Sequence, residues 1–248
     1  MKLLLFALIS LVLLILMKRR GSFRRKHETG DFVRPQNESA FTATKKTVVG
    51  TPSGLLAYHR LTDWWLSAFS EEQRAYIIQK VDPSGEMSFA SGNILSSSQS
   101  SASFLISLVS YFQSKADSGI GLELLKKAEQ LNSGAEKNVL DEHFYLLNLL
   151  KLNYRRRDIE PDALQLAIEA CEKQIAIAPL SAKAFLKAYP KSTLPSHTGF
   201  EQLAIIKEKQ GALEEAISLC KRAKQQGWNG DWDIRIARCE RKLQHRQQ

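Results

Sequence analysis

Nucleophilic, metal-binding and acid–base chemistry each need particular side chains at particular spacings, and few residues in this 248-residue chain qualify. The histidines are His27, His59, His143, His197 and His245; none lies at i, i+4 from another or beside a cysteine at ligand spacing, so no metal site is signalled. Cys171, Cys220 and Cys239 are odd in number and form no CxxC pair, a poor disulfide framework and a poor zinc site. They read as small buried hydrophobes in a reducing compartment. Ser196-His197-Thr198 tempts a nucleophile-and-base interpretation, but adjacent residues in a turn before a helix are more simply a cap, with Thr198 or Ser196 accepting backbone N–H groups. Glu214-Glu215 opens a helix, where carboxylates complement the dipole. The phosphate-cradling GxxxxGK and GxGxxG loops and the GxSxG nucleophile elbow are all absent from the sequence. The expectation is a protein that is not an enzyme and holds no cofactor or metal.

The elements that would position such residues are clearest at Gly199–Ala223, GFEQLAIIKEKQGALEEAISLCKRA. Two short helices meet at a turn at Gly211. Phe200, Leu203, Ala204 and Ile206 line one side of the first; Ala216, Leu219, Cys220 and Ala223 line the facing side of the second. The alanines let the two backbones approach closely. The same spacing recurs over about Ser100–Leu131, where Leu105, Leu108, Val109, Phe112, Gly121, Leu125 and Ala128 align with Phe200, Leu203, Ala204, Lys207, Ala216, Cys220 and Ala223. Only Phe112 against Lys207 fails to set an apolar or small residue against another, so the earlier stretch reads as a copy.

On these residues the chain resembles the tetratricopeptide (TPR) family, whose helix–turn–helix unit of roughly 34 residues stacks on copies of itself. The resemblance spans about residues 100–246. It is weaker in the middle, where Asp141–Arg155 and a helix over Pro161–Ala178 carry Ala167, Cys171 and a terminating Pro179. TLPSHTGFEQLAIIKEKQG together with GWNGDWDIRIARC is also similar to a group of uncharacterised bacterial membrane-anchored TPR-like proteins. The family implies an all-α fold, an antiparallel helix-hairpin array wound as an α-α superhelix, binding a protein or peptide on its concave face. Carried onto matching positions, that face would comprise Ser103, Ile106, Ser110 and Gln113 in the first repeat. Tyr145, Leu149 and Asn153 would follow in the middle unit, and Thr198, Glu201, Ile205 and Glu208 in the most regular one.

The remaining segments frame that array. Leu55–Ala68 fits a helix with a wide apolar face, in which one ring of Trp64-Trp65 is core and the other half-covers a neighbour. Ser70 and Gln73 form a capping box for a second helix over about Glu71–Val81. Ser84–Ser103 reads as a serine-rich loop. Arg155-Arg156-Arg157 reads as a solvated helix end. Ser181–Tyr189 is a further short helix ended by Pro190. Asp231 caps a basic last helix, whose Arg235, Arg238, Arg241 and Lys242 would give the array a polar end. Trp228 and Trp232 would pack against the preceding hairpin.

Charge and hydropathy set the location. The formal net charge is +9, yet Lys2, Lys18, Arg19, Arg20, Arg24, Arg25 and Lys26 stand among residues 1–27 without an acid, so the rest of the chain carries only +2. A nearly neutral body argues against nucleic acid as a partner. Leu3–Met17 is an uncharged run, apolar at every position but Ser10. As a helix it is about 22 Å long, short of the roughly 30 Å hydrocarbon core but able to span with snorkelling lysines and local thinning. A cleaved signal peptide is the competing possibility; no small-x-small site follows Met17 and Lys18-Arg19-Arg20 resists translocation, so an uncleaved anchor is expected. The basic cluster after it puts the C-terminal body in the cytoplasm, at what would be a bacterial inner membrane, with anionic lipid near Lys18–Lys26.

The expected organisation is a membrane anchor (1–20), a polar linker (21–52), a helical hairpin with the serine-rich loop (53–98), and the repeat region with its capping helix (99–248). The expected function is a membrane-tethered scaffold or adaptor for a protein or peptide. The alternatives are a permanent structural subunit of a membrane complex or an enzyme of unknown type on a helical scaffold.

Overall fold

A computed structural model describes residues 51–133 and 137–246. Contacts divide the chain into Met1–Val48 and Val49–Gln248, and every described residue belongs to the second unit. The apolar run 3–17, the basic cluster 18–26 and nearly all of the linker lie outside the described residues. Among those described, all regular structure is helical, and no helix is long and apolar enough to cross a membrane. An isolated parallel bridge joins Ser196 and Asn229.

The described residues open with α1 (Gly54–Tyr58), α2 (Thr62–Ala68) and α3 (Glu71–Val81). The single helix expected over Leu55–Ala68 is in fact two. Arg60 adopts a left-handed φ of 56°, which reverses the chain between Tyr58 and Thr62. α1 is held from outside as much as from within: the Ser53, Gly54, Leu55 and Leu56 N–H groups donate to carbonyls of Ala90, Gly92, Ser88 and Phe89. The buried Asp82 carboxylate fixes that returning loop by accepting from the Met87 and Phe89 N–H groups, both at 3.0 Å. The capping box of α3 is present as the sequence predicts, with Ser70 and Gln73 exchanging backbone-to-side-chain bonds. Trp65 is buried, whereas Trp64 is half-covered and donates from Nε1 to Glu123.

The first repeat-like hairpin pairs α4 (Ser101–Leu108), continued by a 3₁₀ turn over Val109–Phe112, with α5 (Ser118–Leu131). Next come α6 (Val139–Arg156), α7 (Ala163–Ala176) and α8 (Ala178–Ala188), then α9 (Thr198–Gln210), α10 (Leu213–Gln225) and α11 (Trp232–Arg246). Pro161 precedes α7 instead of starting it. Pro179, expected as a terminator, sits in the first turn of α8, where its missing N–H costs no helical bond. Neighbours in sequence pack in order: α4 with α5, α5 with α6, α6 with α7, α7 with α9, α9 with α10 and α10 with α11, while α8 lies across α6 and α7.

Two cores result. The first joins α1–α5 around Trp65, Phe89, Phe104 and Phe112; the second joins α6–α11 around Cys171, Phe200, Cys220, Trp228 and Trp232. Phe144 and Leu149 of α6 touch both, so α6 is the strut between them. Leu213, Ala216, Ile217 and Cys239 form a smaller cluster that seats α11 on α10.

The 95-residue correspondence between the two hairpins is visible in burial. Leu105, Leu108, Val109, Phe112, Gly121, Leu125 and Ala128 are all buried, as are Phe200, Leu203, Ala204, Ala216, Cys220 and Ala223; Lys207 is half-exposed. Gly211 closes α9 in the left-handed conformation at φ 82°, the turn that the sequence places there.

Candidate binding groove

An opening of about 380 Å³ lies among α7, α9 and α10. Ile175, Leu203 and Leu219 form its apolar floor, with Ala176 and Ser218 beside them. Glu172, Lys207, Glu215 and Arg222 stand around the rim. Lys207 and Glu215 are joined across it at 2.6 Å, and the Arg222 guanidinium lies 5.6 Å from the Phe200 ring centroid. The opening exists because α7 and α10 both pack on α9 but leave the space between them unfilled. An apolar floor with a mixed-charge rim suits an apolar side chain flanked by polar backbone or charged groups.

None of the residues expected on the concave face lines this groove. Glu201 and Glu208 project from α9 to α11. Glu201 meets Arg235 at 3.2 Å, and Glu208 accepts hydrogen bonds from Arg238 Nε at 2.9 Å and Nη2 at 2.7 Å and pairs with Lys242 Nζ at 2.7 Å. The Arg238 hydrogen bonds, with Lys242 adding to them, hold the Glu208 carboxyl down at about 2. Arg235 and Arg238, expected on a polar outer face, reach across to α9 and tie the last helix to it, the Arg235 side chain 11 % exposed and that of Arg238 38 % exposed. Ile106 and Asn153 are buried, and Asn153 donates to the Leu149 carbonyl. Tyr145 is half-buried, its hydroxyl pushed up by burial and by Glu129. Leu149 packs on both cores. Gln113 is bonded to Asn148 and to Arg155. Ser103, Thr198 and Ile205 are half-exposed, and Ser110 is exposed.

A second polar feature lies wholly inside. His143, Gln174, Ser181 and His197 come from α6, α7, α8 and the start of α9 and are all buried. Gln174 ties three elements together: its Nε2 donates to the His143 carbonyl at 3.0 Å and its Oε1 accepts the Gly199 N–H at 2.7 Å. The two histidine rings lie edge-to-face at 5.2 Å, and both contact Trp228. His197 is the N-cap of α9, its Nδ1 accepting the Phe200 N–H at 3.3 Å. This corrects the expectation that Ser196 or Thr198 is the cap. Burial holds His143 at about 4 and His197 at about 3, so both imidazoles are neutral near pH 7. Among the described residues His143 Nδ1, His197 Nε2 and Ser181 Oγ have no hydrogen-bond partner.

Each cysteine is buried and free, and burial pushes the Cys171 thiol up to about 12 and Cys220 to about 11, which makes them inert packing groups. Among the described residues no group of three or more His, Cys, Asp or Glu is placed to hold a metal ion.

Comparison with known proteins supplies no family: no protein-family model, no curated protein and no solved structure matches the chain.

Proposed function

We propose that the chain is a membrane-tethered, TPR-like helical scaffold that binds a protein or peptide partner on the cytoplasmic side, without catalysis. The groove among α7, α9 and α10 carries this reading, because it is an apolar slot with a charged rim built between successive helical hairpins. An extended peptide suits it: one apolar side chain would reach Ile175, Leu203 and Leu219, while neighbouring polar groups would meet Glu172 and Arg222. The tether is supported by the 15-residue apolar run Leu3–Met17 and the acid-free basic cluster that follows it.

The test is affinity isolation of the full chain from its native membranes beside Ala176→Arg, which plugs the groove from an exposed position. The parent should retain a defined partner that the variant loses by at least about tenfold, or about 1.4 kcal/mol. Equal retention by a folded Ala176→Arg chain would remove the groove from the account. Recovery of the chain in the soluble fraction would remove the tether.

A further inference from the structure

The outward face of α8 belongs neither to the groove nor to either core. The helix turns Ala178, Ser181 and Phe185 inward and leaves Leu180 56 % and Leu186 47 % exposed. At about 100° per residue, Leu180, Lys183, Leu186 and Lys187 fall within an arc of roughly 120° opposite that buried face. Tyr189, partly exposed, and the exposed Lys191 follow directly beyond the helix end. From Lys173 to Phe200 the sequence contains four lysines and no Asp or Glu. Among the described residues Lys183, Lys187 and Lys191 make no ion pair.

We infer that α8 is an interfacial helix that lies on a bilayer containing anionic lipid. Its leucines and the Tyr189 ring would enter the boundary between headgroups and acyl chains, and its lysines would meet lipid phosphates. Two leucines interleaved with lysines make a poor dry protein interface, where unpaired ammonium groups would be desolvated. The same alternation matches a membrane surface, where lysines keep their water and gain anionic neighbours. The inference extends the membrane setting proposed above and rests on it only for access to a bilayer.

Hydrogen–deuterium exchange of the full chain tests it, with liposomes of phosphatidylcholine alone and with about 30 % phosphatidylglycerol added. Amides over 178–191 should exchange at least about fivefold more slowly with the anionic liposomes than with the neutral ones. Leu180→Gln/Leu186→Gln, both at exposed positions, should abolish the difference while leaving exchange in α9 and α10 unchanged. Equal exchange in the two lipids, or protection that survives the double substitution, overturns the inference. Lipid-independent protection that grows with protein concentration also overturns it, by assigning the face to a second copy. Co-flotation with neutral liposomes reports on the N-terminal tether separately, so the two ideas fail by different readouts.

Discussion

At the scale of single residues, the buried histidines give the fold an acid limit. Both are neutral in the native state and bind protons more weakly there than in the unfolded chain, whose histidines titrate near the ordinary 6.5. Unfolding therefore takes up protons below pH 6.5. The stability they contribute is complete above that pH and is lost as pH falls toward about 4 for His143 and about 3 for His197. The slope approaches about 1.4 kcal/mol per pH unit per histidine, readable as the shift in urea midpoint between pH 7 and pH 5. His197→Asn should keep the N-cap while removing one of the protons taken up, which lowers that slope; the buried His59, whose pKa burial also lowers, contributes to it separately. An unchanged slope would show that His197 is not the titrating group. Glu208 acts in a lower window. Its carboxyl is held down at about 2, so its contribution is present above about 4.5 and lost on acidification below that. Glu208→Gln should cost about 1–2 kcal/mol in urea unfolding at pH 7, because it leaves Arg238 and Lys242 without their shared carboxylate. That cost also makes charge reversal at Glu208 a poor probe of partner binding. Gly54 is the strictest backbone position. Its φ is 63°, and a Cβ there would stand 2.0 Å from the Ser88 carbonyl oxygen and 2.4 Å from that of Ser91. Gly54→Ala should destabilise by about 3 kcal/mol or more, with exchange rising first in α1 and the loop it grips.

At the scale of elements, two glycines in α5 offer a paired comparison. A Cβ on Gly121 would lie 3.0 Å from Leu152 Cδ1 and 3.1 Å from the Phe112 carbonyl oxygen, whereas one on Gly119 meets nothing within 4 Å. Alanine adds about 1 kcal/mol of helix propensity at an open interior site, less near a helix start. Gly119→Ala should therefore stabilise by about 0.5 kcal/mol. At Gly121 the buried Leu152 and a backbone oxygen must yield, and the substitution should destabilise by about 1 kcal/mol net. Two urea midpoints of opposite sign would confirm α5–α6 as a close helix contact. The sequence predicts a small residue at Gly121, aligned with Ala216 95 residues later, for a close approach within the first hairpin; the approach to Leu152 of α6 is a contact from outside that hairpin. The Gly211 turn, the Ser70–Gln73 capping box and the apolar stripes were legible because each is set by residues within a few positions. The break at Arg60 was not, because α1 is fixed by carbonyls of the loop over 88–92. The division of α7 from α8 follows the helices expected over Pro161–Ala178 and Ser181–Tyr189, but it falls at Ala176–Ala178 and leaves Pro179 inside the first turn of α8.

At the scale of the whole molecule, the groove and the α9–α11 clamp join residues roughly 30 to 50 positions apart. Ile175 and Leu219 read in sequence as ordinary core positions. Only the spacing of α7 and α10 across α9 leaves an opening above them. In the same way, no local signal tells that Arg235 and Arg238 pair with α9, since their partners Glu201 and Glu208 belong to the preceding hairpin. The last helix thus acts as a clip: it covers the acidic face of α9 on one side and leaves Leu203 and Lys207 to the groove on the other. The central claim, that a partner seats in that groove, is tested most directly by photocrosslinking in the native membrane from a benzoylphenylalanine placed at the exposed, groove-lining Ser218. The account predicts one discrete adduct from Ser218, absent when the probe stands at the exposed Ser110 on the first hairpin and lost when Ala176→Arg is combined with the Ser218 probe. No adduct from Ser218, or one that persists with Ala176→Arg while the chain remains folded, would contradict it.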